Sequence, residues 1–204
     1  MDKPSSVVLD ANVCIDHSLD LGKIHGAKVR IPECKFLKCF VDGCVKECIT
    51  IGTFQTAVNE SYRNLRKATN ELLAENRIKT DPYDRLKWHQ FSKSNLDRLF
   101  RRIASFKEVY TNQELQAAEQ FFRSFGKTIA AHSTSHKSAI PGPDDLILFV
   151  STHNLGNAPS HLLSNDRHFT EYEKEVASSP YNVRILPLIN LGSIVASWNW
   201  PIAA

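Results

Sequence analysis

Four short apolar runs, each of strand length and separated from one another by stretches with helical spacing, constrain this chain more than any other feature. They are Ser6-Val7-Val8-Leu9, Ile49-Thr50-Ile51, His161-Leu162-Leu163-Ser164 and Val183-Arg184-Ile185-Leu186-Pro187. Apolar runs of this length without strict alternation mark strands buried on both faces. Strands alternating with helices imply crossover connections and hence parallel pairing. The pattern predicts an α/β fold with a central parallel sheet of four to five strands, covered on both sides.

Between the strands, apolar residues recur at three- and four-residue spacing. Helices are expected over 12–19, over 36–48 with Gly43 as a weak point, and after Gly52, where Thr53 is placed to cap. Asp81-Pro82 opens another helix, with Leu86, Leu96, Leu99, Phe100 and Ile103 as its apolar stripe. A further helix over 112–129 turns Leu115, Ala118, Phe122 and Phe125 inward. The Pro-Gly-Pro at 141–143 ends a polar loop, and an apolar helix starts at Asp144. Residues 66–130 contain no strand signal, so they are assigned to a helical insertion within a single domain of 204 residues.

At 42% hydrophobic and 23% charged, the composition is that of a water-soluble globular protein. No apolar run approaches the roughly 18 residues of a membrane span, and the opening MDKPSSVVLD lacks the long apolar stretch of a signal peptide. The expected location is cytoplasmic, away from membranes. Five cysteines, an odd number, argue against a disulfide framework. Cys34, Cys39, Cys44 and Cys48 lack the spacing of a zinc knuckle and are read as small core residues.

Carboxylates fall where segments change type. Asp10 ends the first strand, Asp166 follows the third, and Asp144 opens a helix beside Asp145. Glu60 lies on the helix after the second strand. Ligands of open α/β sheets bind beyond the carboxyl ends of the strands, which directs Asp10 and Asp166 to one crevice. Crowded carboxylates need neutralising, and a hard divalent cation, Mg²⁺ or Mn²⁺, suits an all-oxygen set. Taken singly, Asp144 reads as a cap, Asp166 as a turn residue and Glu60 as a solvated helix acid; the argument rests on all four. The second Asp of a haloacid-dehalogenase phosphatase is absent, its place taken by Asn12.

Together, Val8-Leu9-Asp10-Ala11-Asn12-Val13, Ala57-Val58-Asn59-Glu60-Ser61, Asp144-Asp145-Leu146-Ile147 and Leu162-Leu163-Ser164-Asn165-Asp166-Arg167-His168-Phe169 resemble the motifs of PIN-domain ribonucleases, the group that includes the VapC-type toxins. The resemblance implies a three-layer α/β/α sandwich that cleaves single-stranded RNA with Mg²⁺ or Mn²⁺. It implies Asp10, Glu60, Asp144 and Asp166 as metal-site acids, with Asp145 as the alternative to its neighbour. Asn12 would orient the site and Ser164 would support Asp166 by hydrogen bonding, with Asn165 a further supporting residue. A toxin would have a protein antitoxin as partner; an RNA-processing enzyme would not. The insertion departs from typical toxins, which are much shorter.

Residues 61–107 carry twelve basic side chains against five acidic ones, a net +7 where the whole chain has +3. A basic arm beside an acidic site suits a nuclease, because cations hold the phosphate backbone while the metal acts on it. Arg63, Arg66, Lys67, Lys137, Arg167 and His168 are the expected phosphate contacts. Trp88, His89 and Phe91 could stack on unpaired bases; the alternative places Trp88 and Phe91 in the core, the reading preferred for Trp88. The paired helices would serve equally as a homodimer surface.

Overall fold

The computed structural model describes residues 4–24, 27–31, 33–132, 140–156 and 158–197. The chain runs through β1 (Ser6–Leu9), α1 (Ala11–Ser18), β2 (Gly22–Ile24), β3 (Ala27–Val29), α2 (Cys34–Lys46), β4 (Thr50–Phe54), α3 (Gln55–Glu75), α4 (Pro82–Phe100), β5 (Ala104–Phe106) and α5 (Asn112–His132). It continues through α6 (Pro143–His153), β6 (Ser160–Ser164), α7 (Arg167–Thr170), α8 (Glu173–Ala177), β7 (Val183–Pro187), a 3₁₀ turn (Leu188–Asn190) and α9 (Leu191–Ser197).

Among the described residues, five strands form one all-parallel sheet in the order β5-β4-β1-β6-β7. The order reverses at β1, which pairs with β4 on one side (Val7 with Ile51) and β6 on the other (Val8 with Leu162). Successive strand residues serve opposite layers. Val7, Leu9, Ile51 and Leu163 pack with α1, α2 and α9. Val8, Phe54, Leu162 and Ile185 pack with Phe122 of α5, Phe149 of α6 and Phe169. This α/β fold of a sheet between two helical layers is the architecture expected from the buried strand pattern.

Several local expectations change. Residues 66–130 are not purely helical, because Ala104–Phe106 adds an edge strand to β4. Gly52 does not stop β4 but lies inside it, and a Cβ there would stand 2.5 Å from the Ala104 carbonyl oxygen. Thr53 is a buried strand residue rather than a cap, its hydroxyl donating to the Leu9 carbonyl at 2.6 Å. Asp81 does cap α4, accepting from the Asp84 N–H at 2.8 Å. Leu86 and Phe125, assigned inward, are exposed. A short antiparallel hairpin, β2 with β3, occupies a glycine-loosened stretch.

Four cysteines, Cys14, Cys34, Cys39 and Cys44, are buried. Cys48 is the exception to the core assignment: α2 ends at Lys46, and Cys48, with φ of 56°, lies exposed beyond it. Among the described residues, no helix is long and apolar enough to cross a membrane.

Candidate metal centre

The sheet sets out the site. Asp10 leaves the carboxyl end of β1 at the point where strand order reverses, and Asp166 leaves the carboxyl end of the neighbouring β6 two residues beyond Ser164. A crevice at such a reversal is where open α/β sheets accept ligands. α3 and α6 both begin at this edge, since each runs back against the strands. That brings Glu60, in the second turn of α3, towards Asp144 and Asp145 in the first turn of α6.

Asp10 is only 4% exposed. Its Oδ1 accepts from the Ala11 N–H at 2.6 Å and its Oδ2 from the Ser164 hydroxyl at 2.6 Å. The Ser164 oxygen in turn accepts the Asp166 N–H at 2.9 Å. Asp166 caps α7 by accepting the His168 N–H at 2.9 Å, and its other oxygen accepts from the Asn12 amide at 3.2 Å. Asp10 and Asp166 thus cap α1 and α7, whereas Asp144, read as a cap, is not one, because Gly142 holds the N-cap position of α6. Asn12 bonds Asp166, and Ser164 bonds both acids, donating its hydroxyl hydrogen to Asp10 and accepting the Asp166 N–H.

Of the adjacent pair, Asp145 is the half-buried one. As the third residue of α6 it folds back over the helix start, where the Gly142 N–H donates to Oδ2 at 2.9 Å. The His168 ring nitrogen Nδ1 lies 3.0 Å from the same oxygen and 3.4 Å from Asp166 Oδ1. Asp144 is exposed, and its charge bears on Glu60. His168, assigned to RNA phosphate, instead bridges two acids of the crevice.

Electrostatics tie the acids together. Burial pushes the Asp10 carboxyl up to about 7; the Ser164 bond opposes this, while Asp145 and Asp166 add to it. Glu60 is raised by burial, then by Asp145 and Asp144, with Arg63 opposing. Asp145 is raised by burial and by Asp166, against the Gly142 bond and His168. Asp10, Glu60 and Asp145 therefore each sense at least one neighbouring acid.

The donors are hard carboxylate oxygens, the chemistry that Mg²⁺ and Mn²⁺ prefer. Among the described residues, however, no three acidic, histidine or cysteine side chains already stand together as a metal-binding group. The donor set fits such an ion in kind, and side-chain movement would have to gather it.

Arg63 lies beside Glu60, and Arg167 pairs with Glu171 at 2.6 Å near Asp166. Arg66 and Lys67 are exposed further along α3, Lys67 standing 3.8 Å from Glu71. Lys137 lies outside the described residues. Trp88 packs on the core, with Phe91 exposed and edge-on to it at 6.1 Å. Asn165 points to Asp16 at 2.7 Å rather than to the four acids.

Asp16 was not singled out by its sequence position. It is raised to about 7 by burial and by Glu33, against the Asn165 bond. Standing mid-helix, six residues after Asp10, it carried no strand-end signal. Ser61 was also missed; its hydroxyl reaches the Ala57 and Ala11 carbonyls at 2.7 and 3.3 Å and ties α3 to the start of α1.

Comparison of the chain with models of protein families, with curated proteins and with solved structures gave no match.

Proposed function

We propose that this chain is a divalent-metal-dependent endoribonuclease of the PIN type, acting on single-stranded RNA. The observation that carries the reading is the electrostatic coupling of acids beside the strand-order reversal: Asp10 is raised in part by Asp145 and Asp166, Glu60 by Asp145, Asp144 and Asp166, and Asp145 by Asp166. Asp10, Glu60, Asp145 and Asp166 would supply the oxygen ligands, with Asp144 at the rim beside Glu60. A bound Mg²⁺ or Mn²⁺ would lower the pKa of a water molecule and stabilise charge on the phosphate. Ser164 and Asn12 hold Asp10 and Asp166 in place, and Arg63 and Arg167 supply positive charge where an RNA backbone would approach.

A second reading, an RNA- or protein-binding module without catalysis, draws on one observation. His168 already sits between Asp145 and Asp166, and the acids are not gathered as they stand. Cleavage of mixed single-stranded RNA in Mn²⁺, lost in EDTA and in Asp10→Asn, decides for the nuclease. Tight RNA binding without cleavage in either protein decides for the module. Growth arrest on expression, relieved by a cognate protein, would assign a nuclease to a toxin–antitoxin pair; normal growth with altered RNA ends would assign it to processing.

A further inference from the structure

At the end of α1 remote from the crevice, a cavity of about 200 Å³ lies between α1, α2 and α4. α1 has eight residues, so this cavity sits about 12 Å along the helix from Asp10. His17 comes from α1, Lys38 and Asp42 from α2, Asn95 and Arg98 from α4, and Arg102 from the turn that follows α4.

His17 is 7% exposed, and neither ring nitrogen has a hydrogen-bond partner. Burial, then the charges of Lys38 and Arg102, hold it down to about 4, so the ring is neutral near pH 7 with one donor and one acceptor. A buried polar ring left unmet calls for an explanation. The nearby backbone does not provide one: the His17 carbonyl takes the Cys34 thiol at 3.8 Å, and the Ser18 carbonyl takes the Asn95 amide at 3.1 Å.

The walls carry three positive charges against one negative. Lys38 is paired with Asp20 at 2.7 Å and Arg102 with Asp42. Among the described residues, the Arg98 guanidinium has no hydrogen bond or ion pair. Excess positive charge beside an unmet imidazole N–H disfavours a cation and favours an anion with several acceptor oxygens. The volume lies below the roughly 300–1,000 Å³ of ordinary ligand pockets, which restricts the enclosed part to a compact group.

We propose that this cavity binds a phosphate-class oxyanion, either inorganic phosphate or the phosphate of a small monoester, with His17, Arg98 and Lys38 as donors. The site is separate from the acidic crevice and does not depend on the nuclease reading.

The test titrates the full chain with inorganic phosphate at pH 7, holding ionic strength constant with chloride, and follows the histidine ring resonances and the thermal midpoint. His17 resonances should shift saturably, those of His89 and His161 should not, and the midpoint should rise with phosphate. Arg98→Ala, at an exposed position, should fold normally and weaken binding about tenfold or more; His17→Gln should weaken it as well. Adenosine 5′-monophosphate is the second arm. Tighter binding than phosphate at the His17 resonances names a monoester as the source, and weaker binding names the free ion. An equal response to chloride and phosphate, or Arg98→Ala binding phosphate as tightly as the unaltered chain, overturns the assignment and leaves water as the partner of His17.

Discussion

Ser164 donates its hydroxyl hydrogen to Asp10 at 2.6 Å while accepting the backbone N–H of Asp166 at 2.9 Å, so one buried oxygen links the ends of two adjacent strands. A hydroxyl offers one hydrogen and two lone pairs, and here both kinds of capacity are in use. Ser164→Ala leaves a buried carboxylate oxygen and an N–H short of a partner, at a cost of about 1–3 kcal/mol. Urea unfolding at pH 7 should show that loss with an unchanged slope. A midpoint within error of the unaltered chain would mean that solvent replaces the hydroxyl.

The raised Asp10 carboxyl makes stability depend on pH in a direction opposite to that of a salt-bridged acid. Folded, Asp10 titrates near 7; its ordinary value is 3.8. Between those values the folded chain holds a proton that the unfolded chain has lost, so stability falls as pH rises from about 4 to about 7. Glu60 and Asp145 are shifted the same way and act in the same sense. In EDTA, unfolding midpoints should decline across this window, and Asp10→Asn should flatten the decline. A midpoint that climbs from pH 4 to 7 and is indifferent to Asp10→Asn would contradict the burial argument.

Gly52 and Ala104 are paired across β4 and β5, and a Cβ on residue 52 would meet the Ala104 carbonyl at 2.5 Å and the Phe106 ring at 2.6 Å. Backbone contact of this kind yields little, so Gly52→Ala forces the edge strand outward, at about 1–3 kcal/mol. Hydrogen exchange of the Ala104–Phe106 amides should quicken more than that of β1 and β6. Equal protection in the two proteins would show that β5 yields without cost.

Gly52 also explains what the sequence concealed. Read alone it looks like a strand terminator, because its reason for being glycine is a strand 52 residues further along. That strand, Ala-Ser-Phe, is three residues long at a sheet edge and has no periodicity to reveal it. The four legible strands are apolar enough to be buried from both sides, which is why Val7 and Val8 could face opposite layers as expected. Asp10 and Asp166 were legible because strand ends mark them, whereas Asp16 and the bridging role of His168 arise from tertiary packing with no local signature.

The choice between Asp144 and Asp145 turns on helix-start geometry rather than on spacing to the apolar residues that follow. The third residue of a helix can reach back to the cap backbone, and Asp145 does so, which swings its carboxylate beside His168 and Asp166; Asp144 remains in solvent. If Mn²⁺ is held in the crevice, Asp145→Asn should weaken its binding strongly, because it removes a charge from the centre of the acidic group. Asp144→Asn should act only through Glu60 and cost less. Both asparagines keep the shape of the side chain, and the amide oxygen at 145 can still accept the Gly142 N–H, so α6 should stay folded in each. Calorimetric titration with Mn²⁺, with circular dichroism as the check on folding, measures the pair directly. A larger loss in Asp144→Asn would transfer the ligand role to the exposed acid and require the first turn of α6 to rotate on binding.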